Sequence, residues 1–199
     1  MNANGVSIVS MPVNQKVLRQ RLQNIIIEEQ VKLHETKVVQ LASKFVGAFI
    51  KPVRLQSQKH QAFNCFMHVL NLVDRIEPNI FREDGDSFRF FVDSNLFRKL
   101  YESGVLSEIS KDQLEPNDFV VYYNGQEKMH AGLYMAPNLV LSKWGVGPLF
   151  RHALWDVPKS YGDVLRYFKQ PDQAKVDAFI KRELPLVHLS PVEFHELPA

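Results

Sequence analysis

The chain contains one cysteine, Cys65, and seven histidines. A thiol with an imidazole is the smallest pair of side chains that supports nucleophilic acyl chemistry. The thiol attacks only as thiolate, and that form is favoured where backbone N–H groups at a helix start face the sulfur. Asn64 is a residue type that caps helix N-termini, so Cys65 is expected in the first turn of a helix. The competing outcome for a lone cysteine beside Phe66 and Met67 is a small buried core residue.

His130 opens the run His-Ala-Gly-Leu-Tyr-Met, which reads as a strand. Its small residues Ala131 and Gly132 leave room for another chain to approach. Ser142 falls near the end of the next expected strand, so neighbouring strands can present a histidine and a polar orienting group to one helix start. That is the logic of a Cys–His–polar triad. Cys65 is the expected nucleophile and His130 the base. The third role falls to His152, in an expected loop, or to Ser142. Asn64, Ser142, Lys143 and Trp144 are the expected substrate contacts. Trp144, opening the turn Trp-Gly-Val-Gly-Pro, reads equally well as groove lining or as a hairpin cover over the core. His60 could line the pocket, His68 lies one helical turn past Cys65, and His34, His188 and His195 have no evident partners.

The elements that must position these groups follow from periodicity. Apolar residues recur at helical spacing over Asn14–His34 and again over Thr36–Ile50, where Pro52 stops the pattern. Asn64 opens a third helical run that ends at Pro78. A turn is expected at Asp84–Asp86 and a short strand at Ser87–Val92. A helix beginning at Ser94 closes at Gly104. Phe119–Tyr123, His130–Met135, Leu139–Lys143 and Leu165–Phe168 read as strands, the first three separated by Asn-Gly and Pro-Asn turns. A last helix runs from Asp172 to Glu183. Helices followed by an antiparallel sheet make an α+β fold. The expected organisation is an N-terminal helical extension (1–55), a catalytic domain (56–170), and a C-terminal helix and tail (171–199).

Composition excludes several classes. Of 199 residues, 45% are hydrophobic and 23% charged, which suits a globular chain and not a disordered one. With 24 basic and 22 acidic residues the net charge is +2, too balanced for nucleic-acid binding by bulk electrostatics. One cysteine permits no intrachain disulfide and no cysteine-pair zinc site. With no His-Glu-x-x-His and only 9 glycines, neither a metal nor a phosphate- or dinucleotide-binding cofactor is expected. No basic-then-apolar leader opens the sequence, and no apolar run approaches the roughly 20 residues of a membrane helix. A cytoplasmic protein, or one exported by a dedicated system, is the expectation. The oligomeric state is not encoded legibly.

Taken in order, Asn64-Cys65-Phe66, the helix from Leu96 to Gly104, Leu114-Glu115-Pro116-Asn117-Asp118-Phe119 and His130-Ala131-Gly132-Leu133-Tyr134 form a pattern. It resembles the NlpC-type papain-like cysteine peptidases and amidases of bacterial cell walls, over roughly Ala62 to Phe168. That family carries Asp before and Ser after its cysteine, where this chain has Asn64 and Phe66. It has Gly where Asn117 stands, and often a second histidine where Ser142 stands. The resemblance implies a papain-like NlpC-type fold, with the cysteine helix packed on a small antiparallel sheet. It also implies a thiol hydrolase of amide bonds, acting on a peptidoglycan peptide or a similar isopeptide-like substrate. Acyl transfer, effector-like protein deamidation and a non-catalytic binding module are the alternatives on the same fold.

Overall fold

The computed structural model describes residues 11–28, 31–53, 63–73, 75, 94–125, 127–144 and 148–183. The expected turn at Asp84–Asp86, the strand at Ser87–Val92, His60, His188 and His195 lie outside the described residues.

Two helices open the chain, α1 (Val13–Glu28) and α2 (Val31–Ala42). Their inward residues Leu18, Leu22, Val38 and Ala42 are buried. The second helix was expected to reach Ile50, but it stops at Ala42, and Gly47 turns the chain with φ +82°. Residues Ile50–Val53 instead form strand β1. It is an edge strand, where Pro52 is tolerated because its missing N–H breaks no central ladder.

The cysteine helix α3 spans only Cys65–Val69, not the longer run to Pro78 expected from its apolar residues. Asn64 accepts a hydrogen bond from the Met67 N–H at 3.0 Å and so caps the start. The end is closed by Asn71 at φ +51°, with Asn71 N–H donating to His68 O and Leu72 N–H to Met67 O. This pair of bonds is the Schellman arrangement, and asparagine is the residue after glycine that best accepts its left-handed position. Helix α4 (Ser94–Glu102) buries Leu96, Phe97 and Leu100 and closes at Gly104, φ +75°. Helix α5 (Gln173–Glu183) starts where Asp172 accepts from the Ala174 N–H at 2.9 Å. Arg75 grips α5 through both carboxylate oxygens of Asp177, at 3.0 and 2.5 Å.

The remaining strands are β2 (Glu108–Ile109), β3 (Phe119–Asn124), β4 (Glu127–Ala136), β5 (Leu139–Lys143), β6 (Leu149–Ala153) and β7 (Val164–Phe168). They form one seven-stranded sheet in the order β1-β6-β5-β4-β3-β7-β2, with every pairing antiparallel. The protein is therefore α+β. Phe119, Val121, Tyr123, Ala131 and Phe168 face α3, α4 and α5. Val120, Tyr122, Val140, Phe150 and Leu165 face α1 and α2. Burial on both faces explains why β3 reads as an unbroken apolar run. On the α4 side, Phe97 meets the edge of Phe168 at 5.5 Å and tilts against Phe66 at 5.5 Å, contacts that hold α3 against the sheet.

Candidate functional site

Cys65 occupies the first position of α3 and is buried. Its thiol faces the backbone N–H groups of Ala131, Phe66 and Cys65 itself, all of which favour the thiolate. Burial outweighs them and pushes the thiol up to about 11. A five-residue helix contributes little macrodipole, so the N–H groups of the first turn and of β4 are the stabilising elements that remain.

Ala131 adjoins His130, but the two side chains point to opposite faces of the sheet. His130 pairs with Tyr122, its ring 5.6 Å from the tyrosine's, and stacks on Tyr161 at 3.9 Å. Both tyrosines belong to the α1/α2 face, whereas Cys65 and Ala131 belong to the α3 face. The strand therefore brings the backbones together without joining thiol to imidazole. His130 is 1% exposed, and its Nε2 has no hydrogen-bond partner. Burial first, then the neighbouring His152 and His68, holds its pKa well below the ordinary histidine value.

Ser142 and His152 meet on the same face as His130. Ser142 Oγ lies 2.7 Å from His152 Nε2, Trp144 Nε1–H donates to the same hydroxyl at 3.0 Å, and His152 Nδ1 lies 2.9 Å from Ala153 O. This chain is consistent with one assignment: Nδ1–H donates to the carbonyl and Nε2 accepts from the serine. Burial lowers His152 to about 4. His152 sits on β6, paired with Val140 and Ile50, and not in the expected loop. Its bonds orient it toward Ser142. Trp144 is buried against Phe150 at 4.6 Å, which places it in the core. Gly145–Gly147 lie outside the described residues.

Lys143 points to the other side of β5 and belongs with α3. Its Nζ stands 4.8 Å from the Phe63 ring centre, and burial lowers it to about 8. His68 lies beyond the same ring, 6.1 Å centre to centre, and its buried Nε2 has no hydrogen-bond partner. Desolvation and the Lys143 charge lower it to about 4. The room that Ala131 and Gly132 were expected to leave for another chain to approach is taken, at Gly132, by β5. A Cβ on Gly132 would come within 2.5 Å of Val140 Cγ1 and 2.9 Å of Ser142 Cβ.

A family model described as Domain of unknown function (DUF7689) matches residues 54–169, more than half of the chain. The chain belongs to this family. No curated protein and no solved structure matches it. The DUF7689 segment contains every expected site residue, from Asn64 to His152. Among the described residues no group of three or more His, Cys, Asp or Glu side chains could hold a metal ion, and no helix is long and apolar enough to cross a membrane.

Helices α1 and α2 precede the DUF7689 segment, yet α1 is locked to it. Buried Arg19 donates to Asp163 Oδ1 at 2.5 Å, to Gly162 O at 2.5 Å and to Val157 O at 3.2 Å. Gly162 is obligatory there: φ is +105°, and a Cβ would lie 2.1 Å from Tyr123 O. These bonds fix the turn that carries Tyr161 onto His130. Neither Arg19 nor Tyr161 stood out in sequence.

Asp118, in the Leu-x-Pro-x-Asp run, has a structural role. Its carboxylate accepts from the Glu115 and Gln170 N–H groups at 2.8 and 2.9 Å. Asn117 before it has φ +75°.

Proposed function

We propose that the protein is a papain-like thiol hydrolase of amide bonds, with Cys65 as nucleophile, His130 as base and a peptide of the peptidoglycan or isopeptide-like kind as substrate. The observation that carries this reading is the cluster of Ala131, Phe66 and Cys65 N–H groups around the thiol, the first of them from the strand residue next to His130. Such donors stabilise a thiolate and, later, the oxyanion of a tetrahedral intermediate. Asn117 adds support. A left-handed φ is the reason a family motif carries glycine at a position, and asparagine is its nearest substitute. In the reaction, Cys65 Sγ bonds to the carbonyl carbon as its proton passes to His130, which returns it to the leaving amine. Water then hydrolyses the thioester. Ser142 and His152, bonded to each other on the His130 side, would brace that side of the sheet.

A second reading, a non-catalytic binding module on the same scaffold, is favoured by one observation: the Cys65 and His130 side chains occupy opposite faces. The rate of Cys65 alkylation by iodoacetamide against pH separates the two. Alkylation below pH 8 faster than that of a free thiol, and slowed at least tenfold by His130→Ala, supports the hydrolase. A slow rate that rises only as pH approaches the thiol value near 11, unchanged by His130→Ala, supports the binding module.

A further inference from the structure

Strand β4 carries one residue too many for its partner. Going down the pair, Val121 faces Ala131 and Tyr122 faces His130, but Tyr123 faces Lys128, so Met129 is the extra residue of a β-bulge. Side-chain facing in a strand alternates with a period of two, so the position of a one-residue bulge decides which face the next residue takes. As it stands, the bulge sends His130 to the Tyr122–Tyr161 side.

We propose that this bulge is a positioning device for the proposed reaction: moved by one residue, so that His130 and Ala131 together oppose Val121, it carries His130 to the Cys65 face. The inference rests on the hydrolase reading and adds how its base is brought into place. The shift is local. Ala131 keeps Val121, Lys128 keeps Tyr123, and Met129 replaces His130 opposite Tyr122.

Both exchanged side chains are poorly served where they are. Met129 is a large apolar residue left 38% exposed. In the slot beside Tyr122 and Tyr161 it would be buried among aromatic rings, which suit its polarisable thioether. His130 is buried with Nε2 unsatisfied, a costly state for a polar atom. On the other face that nitrogen would meet the thiol, which lies against the neighbouring Ala131 N–H. The titratable groups that act on His130 are His152 and His68, and Lys143 acts on His68.

Cys65 is the only cysteine, which makes cross-linking a clean test. His130→Cys and Ala131→Cys are prepared separately in the full chain and treated with diamide, and intrachain disulfides to Cys65 are read by the loss of two hydrogens in the mass spectrum. Ala131 already faces the thiol, so Ala131→Cys provides the reference rate. The expected result is that His130→Cys also cross-links, at least tenfold more slowly. Deletion of Met129, which removes the bulge and pins position 130 opposite Tyr122, should abolish that cross-link and leave the Ala131→Cys one intact. A His130→Cys protein that stays reduced while Ala131→Cys cross-links fully would overturn the proposal. So would a cross-link unaffected by the Met129 deletion. The hydrolase reading fails separately, if His130→Cys cross-links as expected and the wild-type protein shows no His130-dependent thiol reactivity.

Discussion

Ser142 Oγ stands 2.7 Å from His152 Nε2 while accepting the Trp144 indole N–H at 3.0 Å. One hydroxyl thus satisfies two buried polar groups, one from Trp144 just past β5 and one from His152 on β6. Ser142→Ala removes both partners without opening a cavity of any size. It leaves an indole N–H and an imidazole nitrogen unsatisfied, so a loss of about 2–4 kcal/mol is expected. A urea titration should show a lower midpoint with an unchanged slope.

The buried histidines make stability fall on the acid side. His152 is held near 4 in the folded state against 6.5 when unfolded, and His130 is shifted in the same direction. A base with a depressed folded pKa is protonated first in the unfolded chain, so between pH 6.5 and about 4 the unfolded state binds the extra proton. Each such histidine costs about 1.4 kcal/mol per pH unit over that window. Denaturation midpoints taken from pH 7.5 to 4.5 should drop steeply. His152→Gln should flatten the slope, even though it lowers stability at neutral pH. Cys65 acts at the other end. Its thiol is raised from 9.0 to about 11, so stability should also decline above pH 9, where only the unfolded thiol ionises. Cys65→Ala should remove that decline.

Most of the sheet was legible because β3, β4, β5 and β7 combine β-branched and aromatic runs with Asn124-Gly125 and Pro137-Asn138 turns, whose second residues Gly125 and Asn138 adopt positive φ in the structure. Strand β6 was not, because Leu-Phe-Arg-His-Ala has no alternation that distinguishes it from a loop, and β2 is only two residues long. Strand β1 was missed because Ile50 read as the end of a helical pattern and Pro52 as its stop. At the candidate site, the cap at Asn64 that starts the Cys65 helix was legible. The facing of His130 was not read: in regular register opposite Tyr122 it alternates with Ala131, so its side chain takes the α1/α2 face. Arg19 was invisible because its acceptors, two carbonyls and Asp163, come from chain about 140 residues away.

Arg19 is the polar lock between α1 and the turn at Tyr161. Arg19→Met keeps most of the apolar stem but leaves the Gly162 and Val157 carbonyls without their donor. A loss of about 2–4 kcal/mol is expected. Arg19→Lys should recover only part of it, because a single ammonium cannot reproduce the guanidinium fork. Hydrogen exchange should localise the effect: amides of α1 and of residues 159–163 exchange faster in Arg19→Met, while those of α4 and α5 change only by the global loss.

Asn117 and Asp118 should respond to substitution in opposite ways, although they are neighbours. Asn117 holds φ +75°, where a Cβ is disfavoured. Asn117→Gly should therefore be neutral or slightly stabilising, whereas Asn117→Val should cost about 1–3 kcal/mol. Asp118 is buried and accepts from two backbone N–H groups, with Lys169 3.5 Å from one oxygen. Asp118→Ala leaves those donors unpaired and unties the turn before β3 from the chain after β7, at a cost of about 2–4 kcal/mol. Asp118→Asn keeps one acceptor and should lose less. Thermal unfolding of the four variants checks the order: Asn117→Gly highest, then Asp118→Asn, with Asn117→Val and Asp118→Ala lowest. If Asn117→Gly and Asn117→Val fell equally, the left-handed backbone at this position would not be what selects the residue.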